Sequence, residues 1–406
     1  MFRRSTIQGL VVLLALSLVT GQGLLALMCI LLLLTSAMAR LWDRWSLLRV
    51  DYGRELSQLR AFPGDEVELA IRISNRKPLP LVALVVRDIV PANLEIVDHD
   101  RRLDTEGRQV INRVTSLRWY ESIVWRYRLR CNARGAYRLG PAQLEGGDPF
   151  GFYRTLKDIP ERASLIVYPR LLPLEELGLP PRHPLGELRA RALIRDPLRT
   201  VGVRDYHPED PLKDVHWTAT ARTGTLQTRI YESTTSREVA IFLDLDSFER
   251  YWQGIDEAQV ERLISAAATL AKAGLEDGFA VGLYVNGAPA EFEQFVRLPP
   301  GRSPAQLELI METLARLTPY SVAPMARLLR TTTTDLPWGA TILLLSAIAP
   351  ESTRAALLRQ RERGRDVAWL YLGEDAPPAV PGILVRHAPP HKDWRRRNGY
   401  AREAIE

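Results

Sequence analysis

Two clusters of side chains have the types and spacing that chemistry needs. The first lies in residues 201–232, VGVRDYHPEDPLKDVHWTATARTGTLQTRIYE, where Arg204, Asp205, Asp210, Lys213, Asp214, Arg222 and Arg229 crowd around Tyr206 and Trp217. Carboxylates beside an imidazole are what general acid–base catalysis uses, so Asp210, Asp214 and His216 are the groups a hydrolase would need. The same density of opposite charges also builds a salt-bridge network that braces a domain, or a recognition surface made of Arg204, Tyr206, Asp210, Trp217 and Arg222. The second cluster is Asp244-Leu245-Asp246-Ser247-Phe248. It sets two carboxylates two residues apart, directly after an apolar run. No other chemistry is written in the chain. The phosphate loop G-x-x-x-x-G-K-[ST], the dinucleotide fingerprint G-x-G-x-x-G, the G-x-S-x-G elbow and H-E-x-x-H are all absent. His387 and His391 are four apart, but Pro389 and Pro390 preclude a shared helical face. No catalytic residue is therefore assigned, and these residues alone imply no cofactor.

These clusters need elements to position them. After Arg237 the run Val239-Ala240-Ile241-Phe242-Leu243 is continuously apolar, as a strand buried on both faces requires. Further strands are expected at 279–285, 341–345 and 367–372, with helical spacing at 258–275, 303–317 and 352–364. Strands interleaved with helices predict an open parallel, Rossmann-type α/β sheet. Ligands of such sheets bind outside the carboxyl ends of the strands, which is where Asp244 falls. Upstream, the spacing predicts a short helix from Pro211 through Arg222 capped by Asp210, then a strand at 226–231. Residues 169–200 are Pro-rich and are expected to be a linker. Residues 50–168 show period-two alternation, as in Val67, Leu69, Ile71 and Ile73, and in Ile123, Trp125, Tyr127, Leu129 and Cys131. About seven short strands with turn signals between them predict an immunoglobulin-like β-sandwich.

The 201–232 segment resembles the domain of unknown function 58 family, whose signature runs R-x-Y-x-P-G-D, then I-[HDN]-W, then [ST]-A-R. The matching residues are Arg204, Tyr206, Pro208, Asp210, Val215-His216-Trp217 and Thr220-Ala221-Arg222, with Glu209 where the family typically has Gly. RGAYRLGP (134–141) and GDPFGFY (147–153) match a second stretch. The DLDSF run also resembles the von Willebrand factor A adhesion site, D-x-S-x-S: Asp244 matches, Asp246 and Phe248 replace the two serines, and Ser346 lies near the place of a distal Asp; that resemblance implies Asp244 and Asp246 as candidate ligands of a Mg²⁺ ion. The resemblance implies paired membrane spans, a β module and a von Willebrand factor A-like domain at residues 201–390. It also implies a non-enzymatic adaptor linked with a MoxR-type AAA+ ATPase, and often with a transglutaminase-like membrane protein.

The membrane end follows from the residues themselves. Between residues 7 and 39 there is no charge, a run that would make a helix of about 50 Å against a hydrocarbon core of about 30 Å. Gly21-Gln22-Gly23 near its middle predicts a hairpin of two spans, about 5–20 and 24–41, within residues 1–48. Arg3 and Arg4 before it, and Arg40, Arg44 and Arg49 after it, put both termini and the soluble domains of an inner or plasma membrane protein in the cytoplasm. A cleaved signal peptide ending at Ala37-Met38-Ala39 is the other reading, with an apolar region longer than such peptides carry. The pI of about 9.4 invites nucleic acid. Yet Lys and Arg total 54 against 48 acids, and the excess has a home at the membrane flanks and in the 391–406 tail, where Arg395-Arg396-Arg397 cluster. Two cysteines exclude a disulfide scaffold.

Overall fold

The structure is a computed structural model. It describes the chain except residues 1–3, 98–108, 182, 190–194, 208–209, 234–237, 291, 293, 333–335, 338, 391–393 and 395–406. Arg3, Pro208, Glu209, His391 and the Arg395–397 cluster, singled out above, lie outside the described residues. The chain divides into two compact units, Met1–Tyr168 and Pro169–Glu406.

The first unit opens with helices Arg4–Val19 and Gly23–Ser46, turning at Gly21, whose φ of +70° suits a residue without Cβ. Gly23–Ser46 is the one helix among the described residues that is long and apolar enough to cross a membrane; Thr6–Val19 is apolar but shorter. At 1.5 Å per residue the 24-residue helix spans about 36 Å, against about 30 Å of hydrocarbon. Leu24, Leu27, Met28, Leu31, Leu34 and Met38 are exposed along it.

Two four-stranded sheets follow. One orders Val50–Leu56, Glu66–Asn75, Ser122–Cys131 and Leu94–Ile96; the other orders Arg154–Ile159, Ala142–Gly147, Leu81–Val90 and Gln109–Leu117. All pairings within these two sheets are antiparallel. Their inward residues share one core, in which Val67, Leu69, Ile71 and Ile73 meet Leu84, Val86, Ile111 and Leu144. The alternation read from the sequence is therefore the inward face of a β-sandwich. A smaller sheet of Arg60–Ala61, Ala163–Val167 and Gly135–Leu139 brings the strands among the described residues to eleven rather than about seven. Pieces of two or three residues are too short to show a period.

Both RGAYRLGP and GDPFGFY have structural employment. Arg54 and Asp88 form a buried ion pair at 2.7 Å, joined by the Tyr52 hydroxyl. Gly140 admits that guanidinium, because a Cβ there would lie 2.4 Å from Arg54 Nη2. In the second motif, buried Asp148 accepts from the amides of Phe150 (3.0 Å) and Tyr153 (2.7 Å) and folds the turn. Arg40 Nε then donates to the Tyr153 hydroxyl at 2.9 Å, Ser36 shares that hydroxyl, and Thr155 donates to Asp43. The motif thus fastens the apolar helix to the sandwich.

In the second unit, five parallel strands and one antiparallel edge strand form a six-stranded sheet. The order is Val296–Gly301, Ala280–Val285, Glu238–Leu243, Thr341–Ser346, Val367–Tyr371, Leu384–His387, with Val296–Gly301 antiparallel. Helix Glu257–Glu276 packs against one face. On the other face Ala240, Phe242, Ile342, Leu344 and Trp369 share a core with Met325 and Leu329 of Met325–Thr332 and Leu357 of Glu351–Glu362. The boundaries follow the expected periods within a residue or two. Residues 169–200 depart from the linker reading: Leu172, Leu177, Leu179 and Leu185 are buried, and the Leu172 amide donates to Thr269 Oγ1 on the long helix at 2.8 Å. Four leucines among the prolines give this stretch an apolar side, and it packs as part of the domain.

Candidate functional site

The first parallel strand, Glu238–Leu243, lies between Ala280–Val285, which it reaches through helix Glu257–Glu276, and Thr341–Ser346 on its other side. Strand order thus reverses there, and the crevice beyond the carboxyl ends is where such a sheet takes ligands. Asp244 and Asp246 stand at that rim. Asp244 is buried; its Oδ1 accepts from the Asp246 amide (3.2 Å) and from Asn286 Nδ2 (2.7 Å). Asn286 Nδ2 also reaches Asp246 Oδ2 at 3.4 Å, and Ser321 Oγ donates to Asp246 Oδ1. Asn286 Oδ1 accepts from the Leu245 amide at 2.8 Å, which fixes the NH₂ group toward the two acids. Burial, and next the charge of Asp246, hold the Asp244 carboxyl well above the usual range.

A divalent ion needs oxygens converging on it. Here an amide NH₂ points at both carboxylates, and burial disfavours the charged form of Asp244. No group of three or more His, Cys, Asp or Glu side chains fit to hold a metal occurs among the described residues. As arranged, Asp244 and Asp246 do not fit Mg²⁺. Ser346 is also engaged elsewhere, accepting from Trp369 Nε1 at 2.8 Å and donating to the Ile348 carbonyl. Asn286 and Ser321 escaped the sequence reading because neither belongs to a motif.

Beside the acid pair lies a crevice of about 580 Å³, lined from the loops that follow three neighbouring parallel strands. Glu249, Asp256, Glu374 and Asp375 line it with a single cation, Arg250, and Tyr371 forms part of its wall. Burial, then the charges of Asp375 and Glu249, raise the Tyr371 phenol pKa.

The 201–232 segment is a separate construction. Strands Arg195–Asp205 and Gln227–Ser233 pair antiparallel, with Arg204 opposite Thr228. Asp210 accepts from the His207 amide (3.0 Å) and from Arg204 Nη2 (2.6 Å). The His207 amide, then the Arg204 guanidinium, hold the Asp210 carboxyl below its usual range. Asp210 therefore closes a turn and does not cap the helix. The helix runs Trp217–Thr223 instead of starting at Pro211, because His216 Nδ1 accepts from the Ala219 amide at 3.1 Å as its cap. Residues 212–214 make only a 3-10 turn, and Gly224 at φ +73° ends the helix. Asp214 is buried, so the three hydrolase candidates are spent on a turn, the interior and a cap, and none lines the acidic crevice. Of the partner-binding candidates, Arg204, Trp217 and Arg222 are exposed, and Tyr206 and Asp210 are half-buried. Leu212 and Leu226 are exposed beside them in sequence.

Fold and rim together define a class: a doubly covered α/β domain with an acidic carboxyl-end rim, in a chain that also carries an apolar helix and a β-sandwich. Residues 202–355 match the family model described as "Protein of unknown function DUF58". "Uncharacterized protein YeaD" of Bacillus subtilis (strain 168) is 21% identical over 233 residues, 57% of this chain and 54% of that protein. The chain thus spans about half the length of this curated relative. Two solved structures overlap part of the fold. A cohesin module from a Clostridium perfringens ATCC13124 family 33 glycoside hydrolase is 12% identical, covering 29% of this chain and 96% of its own at TM-score 0.22. Spo0M, a sporulation control protein from Bacillus subtilis, is 11% identical, covering 29% and 49% at TM-score 0.18. Overlaps at these scores carry no argument.

Proposed function

We propose that this protein is a membrane-anchored cytoplasmic adaptor that docks a MoxR-type AAA+ ATPase, or its client, through the 201–232 segment. One observation carries the reading. Trp217 is 66% exposed, in company with exposed Arg204 and Arg222, on a hairpin whose turn and cap are already hydrogen-bonded internally. Aromatic and guanidinium groups held outward on a rigid support are the residues that dominate protein interfaces. The hydrolase reading loses its groups to that internal bonding.

The finer architecture belongs to the same proposal. Helices Arg4–Val19 and Gly23–Ser46 form a hairpin of two spans in the inner or plasma membrane, with both termini in the cytoplasm. The sandwich is immunoglobulin-like, a reading supported by the Tyr137 hydroxyl, which donates to the Ala133 carbonyl at 2.8 Å like a tyrosine corner. The α/β domain is von Willebrand factor A-like, with a rim that uses Asp244 and Asp246 without an ion. A transglutaminase-like membrane protein is a further partner.

Affinity capture of the full-length protein from membranes tests this reading. The expected result is recovery of an AAA+ ATPase, lost in the Arg204→Ala/Trp217→Ala variant while Arg76→Ala, an exposed change in the sandwich, retains it. No ATPase with the parent chain, or equal recovery with both variants, sinks the reading in favour of a structural scaffold.

A further inference from the structure

One hairpin of the sandwich runs alongside the long apolar helix. Strands Ala142–Gly147 and Arg154–Ile159 pair from Ala142 with Ile159 to Gly147 with Arg154, so residues 148–153 form its tip. Three contacts set its direction. Lys157 Nζ donates to the Val50 carbonyl just after the helix, Thr155 donates to Asp43, and the Tyr153 hydroxyl meets Arg40 and Ser36. Each step from Lys157 toward the tip thus lies further from the helix's C-terminal end. Arg40 closes the charge-free run, and Ser36 lies about 6 Å inside it. Pro149 to Phe152 lie beyond the last strand pair and head toward the level of that run.

The tip presents what that level suits. Pro149-Phe150-Gly151-Phe152 carries no charge. Phe150 is 53% exposed and stacks on half-buried Phe152, with ring centroids 5.8 Å apart. The Phe150 and Tyr153 amides donate to the Asp148 carboxylate and the Gly151 amide to the Asp148 carbonyl, so three amides of the turn need no water. Arg40 and Arg154, both exposed, stand on the side away from the apolar run. The turn after Gln109–Leu117 lies at the same end of the sandwich, since Leu81 pairs with Leu117 and Leu84 with Gly146. It carries Trp119 and Tyr120, 63% and 68% exposed.

We propose that the Pro149–Phe152 tip inserts into the interfacial layer of the phospholipid bilayer beside helix Gly23–Ser46, giving the sandwich a lipid contact of its own. Aromatic rings settle at the boundary between headgroups and acyl chains. Continuity selects the occupant: lipid is the medium that covers Leu34, Met38 and Leu41, exposed on the stretch of helix that Tyr153 grips. A helix alone leaves the soluble body free to swivel at the membrane; a second contact fixes which end of the sandwich faces it. The inference rests on the reading that helix Gly23–Ser46 crosses the membrane, and not on the identity of the docking partner.

Collision accessibility of nitroxide labels on the full-length protein in phosphatidylcholine nanodiscs tests it. Oxygen concentrates in lipid, whereas a nickel chelate stays in water. Labels are placed singly by Leu31→Cys on the helix, by Pro149→Cys, which keeps both phenylalanines, and by Asn132→Cys, exposed at the far end of strand Ser122–Cys131. Oxygen is expected to dominate at 31 and 149, and nickel at 132. Adding Phe150→Ser/Phe152→Ser is expected to turn the label at 149 to nickel dominance, while Phe150→Leu/Phe152→Leu leaves it with oxygen. Nickel dominance at 149 with oxygen dominance at 31 overturns the insertion alone; nickel dominance at 31 overturns the membrane reading beneath it. A label at 149 shielded from both reagents also overturns the proposal, because a second copy or another protein then covers the tip. So does a serine pair that leaves the label at 149 with oxygen.

Discussion

Asp244 and Asp246 are two residues apart, yet the groups that satisfy them come from 40 and 75 residues downstream. The carboxylates were legible because they follow an apolar strand. Asn286 and Ser321 were not, because a lone Asn and a lone Ser announce nothing until the sheet sets their strand ends side by side. Asn286→Ala strips the donor from buried Asp244 and half-buried Asp246, and the acceptor from the Leu245 amide. It is expected to cost about 1–3 kcal/mol, read by chemical denaturation of the full chain. A second residue-scale expectation concerns Lys77, which is buried with Nζ donating to Asn75 Oδ1 at 3.0 Å. Burial, then the charge of Lys157, pushes Lys77 down to about 8 from its ordinary 10.5. Between those values the unfolded chain holds a proton that the folded chain releases, so Lys77 makes stability rise with pH across that window. Lys77→Met is expected to remove that rise, seen as a flatter curve than the parent from pH 8 to 10.5 in denaturation at stepped pH.

At the scale of elements, periodicity gave most of the strands and helices, because burial of one face or two imposes a period that needs no tertiary knowledge. Capping was harder. Asp210-Pro211 has the look of a helix start, but the carboxylate of Asp210 is taken by Arg204 and by the His207 amide, and the helix waits for His216. Replacing His216 by Leu is expected to cost about 1 kcal/mol through the lost cap, whereas His216→Asn keeps an acceptor and costs a few tenths. Denaturation midpoints of the two variants check this; equal losses would deny the cap. The GDPFGFY stretch shows another limit. Its sequence announces a turn, but only the fold reveals that Tyr153 takes a hydrogen bond from Arg40 on the apolar helix.

For the whole molecule, the membrane reading rests on one long apolar helix with a shorter apolar helix before it. If the two form a hairpin, Gln22 in the turn lies on the side opposite both termini. A Gln22→Cys protein in intact cells is then expected to react with a membrane-impermeant maleimide, while a cysteine at Arg76 reacts only after lysis. The reverse pattern, or labelling of both in intact cells, would reject the orientation. The parent background is quiet for this purpose, since Cys29 and Cys131 are both buried. The division between units also needed the structure. Proline density marked residues 169–200 as a linker, but four buried leucines tie that stretch to the α/β domain, and the boundary falls at Tyr168 and Pro169.

By itself the sequence determined what repeats or clusters locally: the charge-free run, the period-two strands, the alternating α/β order, and the motif at the start of the segment that matches the DUF58 model. These are decided by solvent on each face of an element, and neighbours along the chain share that environment. Tertiary structure alone decided what each polar group does. It turned a metal-like acid pair into an Asn-bridged rim. Hydrogen bonds and ion pairs act over about 3 Å between groups that folding, not sequence order, brings together.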